Sequence, residues 1–308
     1  MTALATELAF SAVRIATPLI FAALGGLLTY QAGILNIALD GFMIIAAFTA
    51  IWIAFVTGSL TLGVLAGVFA SVLLAGLFAL FSLRFRAHIF IAGIAVTFLG
   101  LGLTALLVKG VLGQDGVFAS PLVPNFPAIQ LPIIKDIPIV GPIVSGHTLL
   151  VYVAYLCVPV VAFFLYQTRW GLRVRMIGEA EDAALTAGVN VGAVKVQTVL
   201  LSGLFCGLAG AYLSLGYVSL FARNMTNDRG LIALAAIFFA KGRPFETAAV
   251  ALLFGLATAL SVRLPDMTGI APQLLQLIPY TVTVLALIVV GLRATSMRGR
   301  HRGQRFEL

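Results

Sequence analysis

The chain has 308 residues, of which 61% are hydrophobic and only 10% are charged, and its mean hydropathy is +1.10. A soluble domain carries about 25% charged residues, so this composition excludes a water-soluble globular protein and indicates one that is solvated by lipid. The net charge of +8 does not indicate nucleic-acid binding, because the bases crowd into the end of the chain and a few loops. We expect an all-α, polytopic transmembrane helical bundle.

Apolar runs long enough to span a bilayer, at about 20 residues each, recur along the chain. They predict eight or nine hydrophobic segments, near residues 9–29, 34–56, 61–82, 89–108, 148–167, 196–220, 230–240, 246–262 and 275–292. About eight of these are expected to be full spans. The pattern predicts a single transmembrane domain over residues 1–292 and a basic tail over residues 293–308.

The lysines and arginines orient these segments. Most of them lie near residues 84–88, in the loop 168–195, near 241–243 and in the tail. Because cytoplasmic loops carry the excess of Lys and Arg, we expect the amino terminus outside and the carboxyl terminus in the cytoplasm. The proline-rich loop 109–147 then faces outwards as a non-helical cover, and the loop 168–195 faces the cytoplasm.

Two polar stretches flanked by glycine interrupt the apolar pattern, one in each half of the chain. The first is "AGILNIALDG" at residues 32–41, where Asn36 and Asp40 are four residues apart and share a helix face. The second is "ARNMTNDRG" at residues 222–230, which precedes a short apolar run. A matching pair of interrupted segments indicates the pathway of a transporter, and the two halves are interpreted as an inverted repeat.

Asp40 is the most informative residue of the first interruption. A carboxylate central in a spanning helix costs roughly 2.5–3.5 kcal/mol on insertion scales, so it is expected to line a pathway or to pin a helix break. The alternative is that Asp40 lies near the cytoplasmic end of its segment and only caps or anchors the helix. For the second interruption the alternative is an ordinary solvated turn. The candidate pathway residues are Asn36, Asp40, Gly41, Asn224, Thr226 and Arg229.

The polar stretch "GEAEDAALTAGVNVGAVK" at residues 178–195 predicts a short cytoplasmic helix. Its acids suit the positive amino end of a helix, Gly188 suits the terminus, and four alanines form one small face. A helix of about nine residues, about 14 Å long, is not stable alone in water, so a cytoplasmic partner is expected to pack on that face. The candidate contact residues are Glu179, Ala180, Asp182, Ala183, Ala184, Ala187 and Gly188.

The sequence carries no pattern typical of an enzyme or a metal site. The phosphate-binding pattern GxxxxGK[ST] is absent, so the chain is not expected to bind ATP through such a loop of its own. Cys157 and Cys206 lie in apolar runs without the spacing of metal ligands. We expect no catalytic residue, no metal and no cofactor.

Three segments together resemble those of a known family. The segment "RWGLRVRMIGEAEDAALTAGVNVGAVK" resembles the cytoplasmic coupling loop of ABC-type import permeases of the branched-chain amino acid, ribose and simple-sugar superfamily. The segments "GGLLTYQAGILNIALDGFMIIAAF" and "NMTNDRGLIALAAIFFAKGRP" are similar to the first-half and second-half signatures of its nucleoside and simple-sugar branch. The resemblance covers nearly the whole chain, in order.

The resemblance implies a type II ABC importer permease fold with a coupling helix at Glu179–Gly188. It also implies the shorter subunit of a heterodimer, with a second, longer permease, a cytoplasmic ATPase that binds ATP, and an extracytoplasmic substrate-binding lipoprotein as partners. The implied function is import of nucleosides, with purine nucleosides favoured, across the bacterial inner membrane. Simple sugars and branched-chain amino acids are the alternative substrates.

An ion-coupled secondary transporter is the alternative class of function. Such a transporter is expected to carry ionisable residues deep in several spans. Apart from Asp40, the cores of the apolar runs lack them. The sequence therefore favours a permease that is driven by an external ATPase.

Overall fold

The structure is a computed structural model that describes residues 2–113, 116–130, 140–268 and 281, and most of these residues are helical. The long helices are α1 (Thr2–Gln31), α2 (Leu39–Thr57), α3 (Leu60–Ala79), α4 (Ile89–Leu112), α6 (Leu149–Gln167), α9 (Val191–Ala211) and α11 (Pro244–Thr268). The short helices are α5 (Val140–Val144), α7 (Arg169–Glu179), α8 (Glu181–Thr186) and α10 (Arg229–Phe239). Two π-helical turns, Leu80–Arg84 and Tyr212–Tyr217, continue α3 and α9.

The predicted polytopic helical bundle is confirmed. Among the described residues, seven helices are long and apolar enough to cross a membrane, and α10 is a shorter apolar helix. The predicted hydrophobic segment at 275–292 and the basic tail at 293–308 lie outside the described residues. The run predicted at 34–56 becomes helical only from Leu39, because residues 34–38 form the first interruption.

Three helices form the centre of the bundle. In α1, α2 and α9 about two thirds or more of the most apolar stretch is buried, whereas in α3 and α4 only a third is. Small residues let the central backbones approach: a Cβ on Gly25 would lie 2.9 Å from the Ser202 carbonyl oxygen, and a Cβ on Gly210 would overlap that of Met43. Apolar surface gives no net drive for helices to associate in lipid, so such close packing is a main source of stability.

The loop between α4 and α6 is partly ordered by two short antiparallel pairings. The strand β1 (Val117–Phe118) pairs with β4 (Phe221–Ala222), and β2 (Ala128–Ile129) pairs with β3 (His147–Thr148). The first pairing fastens this loop to the segment that leads into the second interruption.

The expectation of no helix in this loop was wrong in two places. The helix α4 continues to Leu112, and α5 occupies Val140–Val144. Pro142 lies in the first turn of α5, where the missing amide hydrogen has no partner inside the helix in any case.

Candidate translocation and coupling site

The first interruption is a helix break whose backbone is held by side chains. After α1 ends, Gly33 adopts a φ of +75°, and the Ile34 amide donates back to the Thr29 carbonyl oxygen at 2.9 Å. Asn36 then makes two hydrogen bonds: its Nδ2 donates to Ser202 Oγ at 3.0 Å, and its Oδ1 accepts from the Ala38 amide at 3.0 Å. Asn36 therefore satisfies an amide at the start of α2 and ties the break to α9.

The second interruption is a tight turn before α10. Asn224, Asn227 and Asp228 adopt positive φ values of 58°, 44° and 58°, which Asn and Asp tolerate better than other side chains. The Arg229 guanidinium donates to the carbonyl oxygens of Met225 at 2.6 Å and Thr226 at 3.3 Å. Here too a side chain provides hydrogen-bond partners for backbone groups next to an interruption.

The two interruptions meet at Asp40. Its Oδ1 accepts a hydrogen bond at 2.9 Å from the amide of Gly230, a residue 190 positions away in the first turn of α10. Asp228, the residue that precedes α10, makes no side-chain capping bond, so Asp40 of a different helix supplies the cap. A Cβ on Gly230 would come within 2.6 Å of the Asp40 amide nitrogen, so glycine is required there.

The other predicted pathway residues divide between this junction and its surroundings. Thr226 is buried beside Asp40, and its Oγ1 has no hydrogen bond of good geometry. Gly41 instead packs α2 against α4, since a Cβ there would lie 2.7 Å from Thr97 Cα. Asn224 is exposed, whereas Asn36 is only 1% exposed. The six residues therefore do not line one open channel within this chain, and their roles in transport stay predictions.

The predicted coupling helix is shorter than expected and starts later. Glu179 is the last residue of α7, and Ala180, in an extended conformation with φ of −153°, separates it from α8. Gly188 has the left-handed conformation expected of a helix terminus, with φ of +77°. The amides of Gly188 and Val189 donate to the carbonyl oxygens of Leu185 and Ala184, both at 3.0 Å, which is the Schellman pattern of a helix end.

The expectation of a single face of four alanines is corrected by the structure. Ala184 is completely buried and packs in the core of this chain, whereas Ala180, Ala183 and Ala187 are exposed. A helix of only six residues has little surface, and the side of α8 that holds Ala184 already faces its own bundle. The exposed surface of this segment is therefore smaller than the sequence predicted, and Asp182 lies on it. Its contact with a partner stays a prediction.

A salt bridge with a half-exposed glutamate links α8 to α9. Lys195 Nζ on α9 lies 2.7 Å from Glu181 Oε2. The Asn190 side chain caps α9 by accepting from the Ala193 amide at 3.0 Å. A displacement of α8 is therefore expected to act directly on α9, one of the three central helices.

Sequence reasoning missed Ser202, Gly230 and Gln31. Ser202 holds Asn36, Gly230 receives Asp40, and Gln31 donates through Nε2 to the Gly242 carbonyl oxygen at 2.6 Å. For Gly230 a signal existed, because a glycine at the start of an apolar helix often marks a close approach of two backbones. Among the described residues, no group of three His, Cys, Asp or Glu side chains is placed to hold a metal ion.

Comparison with known proteins places the chain among membrane permeases. The family model described as "Branched-chain amino acid transport system / permease component" matches residues 8–288. The guanosine ABC transporter permease NupQ of Bacillus subtilis is 34% identical, and the nucleoside ABC transporter permease NupC of Lactococcus lactis is 32% identical, each over 88% of both chains. A Haloferax volcanii protein, TsgC13, named as a glucose ABC transporter permease, is 33% identical over 93% of this chain and 92% of its own.

One solved structure shares the fold. It is described as an inward-facing conformation of a metal-chelate type ABC transporter, and it matches with a TM-score of 0.52 over 91% of this chain and 84% of that chain. The sequence identity is 15%, so this likeness concerns the fold alone.

Proposed function

We propose, because the chain belongs to the family of branched-chain amino acid transport system permease components, that it is the permease subunit of an ATP-driven ABC importer of nucleosides. Its family and its apolar helices make it a multi-pass protein of the bacterial inner membrane. The observation that carries the proposal is the junction of the two interruptions at Asp40 and Gly230. It lies in a chain whose relatives over 88% of its length are named as guanosine and nucleoside permeases.

The partners follow from what this chain lacks on its own. The junction is buried against the helices of the same chain, so an open pathway needs a second surface, which we assign to a longer permease that pairs with this one. A cytoplasmic ATPase binds and hydrolyses the ATP that drives transport. An extracytoplasmic lipoprotein delivers the substrate to the outer side, where Asn224 and Asn227 present exposed amides.

The mechanism is a two-state change that the ATPase biases. When the ATPase closes on ATP, it moves α8, where Ala183 and the flanking Ala180 and Ala187 are exposed. The salt bridge between Glu181 and Lys195 passes this motion to α9. Packed helices have discrete arrangements rather than a continuous range, so the bundle shifts from an outward-facing to an inward-facing state.

Simple sugars are the second candidate substrates. The Haloferax volcanii relative named as a glucose permease is as similar to this chain as the nucleoside permeases are. Nucleosides and sugars share a ring with several hydroxyl groups, which exposed amide side chains such as Asn224 and Asn227 suit as hydrogen-bond partners. Branched-chain amino acids, which the family description mentions, rank third.

The test is uptake by the complete transporter. The two permeases, the ATPase and the lipoprotein are reconstituted in liposomes, and uptake of radiolabelled guanosine, adenosine, glucose and leucine is measured with and without ATP. We expect ATP-dependent uptake of the purine nucleosides. Uptake of glucose or leucine alone would refute the substrate assignment, and uptake driven by an ion gradient without ATP would refute the class of transporter.

A further inference from the structure

Gln31 joins the two interrupted segments at the ends opposite to the Asp40 junction. Its Nε2 donates at 2.6 Å to the carbonyl oxygen of Gly242, a residue 211 positions away in the turn between α10 and α11. Gly242 adopts a φ of +69°, and a Cβ there would lie 2.8 Å from the Tyr30 ring and 2.9 Å from Gln31 Nε2. The turn therefore sits directly on the end of α1.

The predicted coupling loop contacts the same residue from the other side. A Cβ on Gly178, next to the last residue of α7, would overlap the Gln31 carbonyl oxygen and lie 3.2 Å from the Gly33 nitrogen. The end of α7 thus touches the backbone of Gln31, while the side chain of Gln31 holds Gly242. One residue links the coupling loop to both interrupted segments.

The hydrogen bonds from Gln31 to Gly242 and from Gly230 to Asp40 close a ring through the centre of the chain. On one side of the ring lie residues 32–39, which lead from Gln31 to Asp40. On the other side lies α10, whose eleven residues rise about 16 Å, roughly half the thickness of a bilayer core. Because α10 is a short, internally hydrogen-bonded helix, a displacement at its Gly242 end is expected to reach its Gly230 end with little loss.

A cavity beside Gln31 provides the space for such a displacement. Its volume is about 440 Å³, and it lies between α7 and the turn after α1, next to Tyr30, Gln31, Gly33, Arg175, Gly178 and Phe238. Protein interiors are close-packed and transmit strain rather than yield. This pocket is open to the surface, so the end of α7 can move against the ring without compressing the core.

We infer that Gln31 is a positioning residue of the transport cycle. Its hydrogen bond to Gly242 makes a movement of the coupling loop displace both interrupted segments together, so that the Asp40 junction changes when the ATPase closes. Without this bond, α10 is released from the coupling loop while α8 and its partner contact stay in place. This inference rests on the proposed function.

The test compares Gln31→Met with Tyr152→Phe in the complete reconstituted transporter. Tyr152 also donates a side-chain hydrogen bond to a backbone carbonyl oxygen, that of Val144 at 2.8 Å, but it lies on α6, outside both interruptions and outside the coupling loop. The measured quantity is guanosine taken up per ATP hydrolysed, together with the amount of ATPase that co-purifies. For Gln31→Met we expect normal co-purification and a ratio that falls about fivefold, the population change that follows from losing one ordinary hydrogen bond.

Two further variants of Gln31 separate a positioning role from a structural one. Gln31→Lys retains a donor of similar reach, so it is expected to keep the wild-type ratio of guanosine taken up to ATP hydrolysed. Gln31→Glu has no donor when ionised and is expected to lower that ratio. This pair also tests the inference if Gln31→Met does not insert. A wild-type ratio in Gln31→Met, an equal loss in Tyr152→Phe, or equal behaviour of the Lys and Glu variants would overturn the inference alone. Absence of ATP-dependent uptake by the wild-type complex would overturn the proposed function and the inference with it.

Discussion

Replacing Asp40 by alanine is expected to lower transport more than it lowers the amount of folded protein in the membrane. The Asp40 carboxylate accepts from the Gly230 amide at 2.9 Å and is the side chain that caps α10. Alanine offers no acceptor at this position. The buried amide of Gly230 then loses its partner, and the two interruptions lose their direct contact.

The free-energy changes caused by this substitution decide whether the folded amount or the transport activity falls. Leaving a buried amide unsatisfied costs about 1–3 kcal/mol. Removing a carboxylate from a spanning helix returns roughly 2.5–3.5 kcal/mol on insertion scales. The second value applies to the centre of a helix and is an upper limit for Asp40, which lies in the first turn of α2. The two effects oppose each other, so the folded amount is expected to change less than transport does. The contact between Asp40 and Gly230 is weakened by the same amount, about 1–3 kcal/mol, which corresponds to roughly 5–150-fold in the fraction of molecules that hold it.

The assay compares Asp40→Ala with Asp40→Asn, because asparagine keeps an acceptor oxygen and removes the charge. ATP-dependent guanosine uptake is divided by the amount of folded permease, which is measured by detergent chromatography of a fluorescent fusion. We expect a loss of about tenfold for the alanine variant, within the range above, and most of the activity for the asparagine variant. Wild-type uptake by both would refute a role of the junction in transport, and an equal loss in both would refute the capping argument.

Three further predictions concern the coupling helix, the topology and the outer loop. Ala183→Arg is expected to insert normally and to reduce ATPase co-purification. Ala184→Trp places a large side chain in the core, which destabilises the folded protein by about 1–3 kcal/mol, so it is expected to lower the amount of permease itself. Single cysteines at Ala119 and Thr186, in a background without native cysteines, are expected to label oppositely in intact cells, with an impermeant maleimide reaching only position 119. Burial lowers the pKa of the His147 imidazole, so its neutral form favours folding; the thermal midpoint of the wild type is expected to fall more than that of His147→Phe as the pH drops below about 6.5.

The sequence predicted the two interruptions but not their contact. Polar residues inside an apolar run stand out in any window of the sequence, which is why Asn36, Asp40 and Asn224 were found. The bond between Asp40 and Gly230 joins residues 190 positions apart. It can form only because Gly230 has no side chain that would keep the two backbones apart. Periodicity reports on neighbours within a helix, so it carries no information about such a pair.

The alanine pattern of the coupling loop failed for a different reason. Spacing of three and four residues gives the angles between side chains on one helix, but it does not say which angle faces the bundle. A small residue suits both a buried contact and a docking surface, so Ala183 and Ala184 were indistinguishable. The structure shows that Ala184 is buried and Ala183 is exposed.

The burial of Ala184 shifts the proposed contact with the ATPase towards Leu185. This leucine is 55% exposed on α8, although it is the largest apolar residue of that helix. Fully burying a leucine stabilises an interface by about 1.5–3 kcal/mol, whereas exposed alanines beside it contribute mainly a close fit. The acids Glu181 and Asp182 lie at the start of the same helix, and Lys195 already pairs with Glu181. Asp182 is therefore the acid left for the partner, and a groove that accepts α8 needs an apolar floor for Leu185 with a basic residue at its rim.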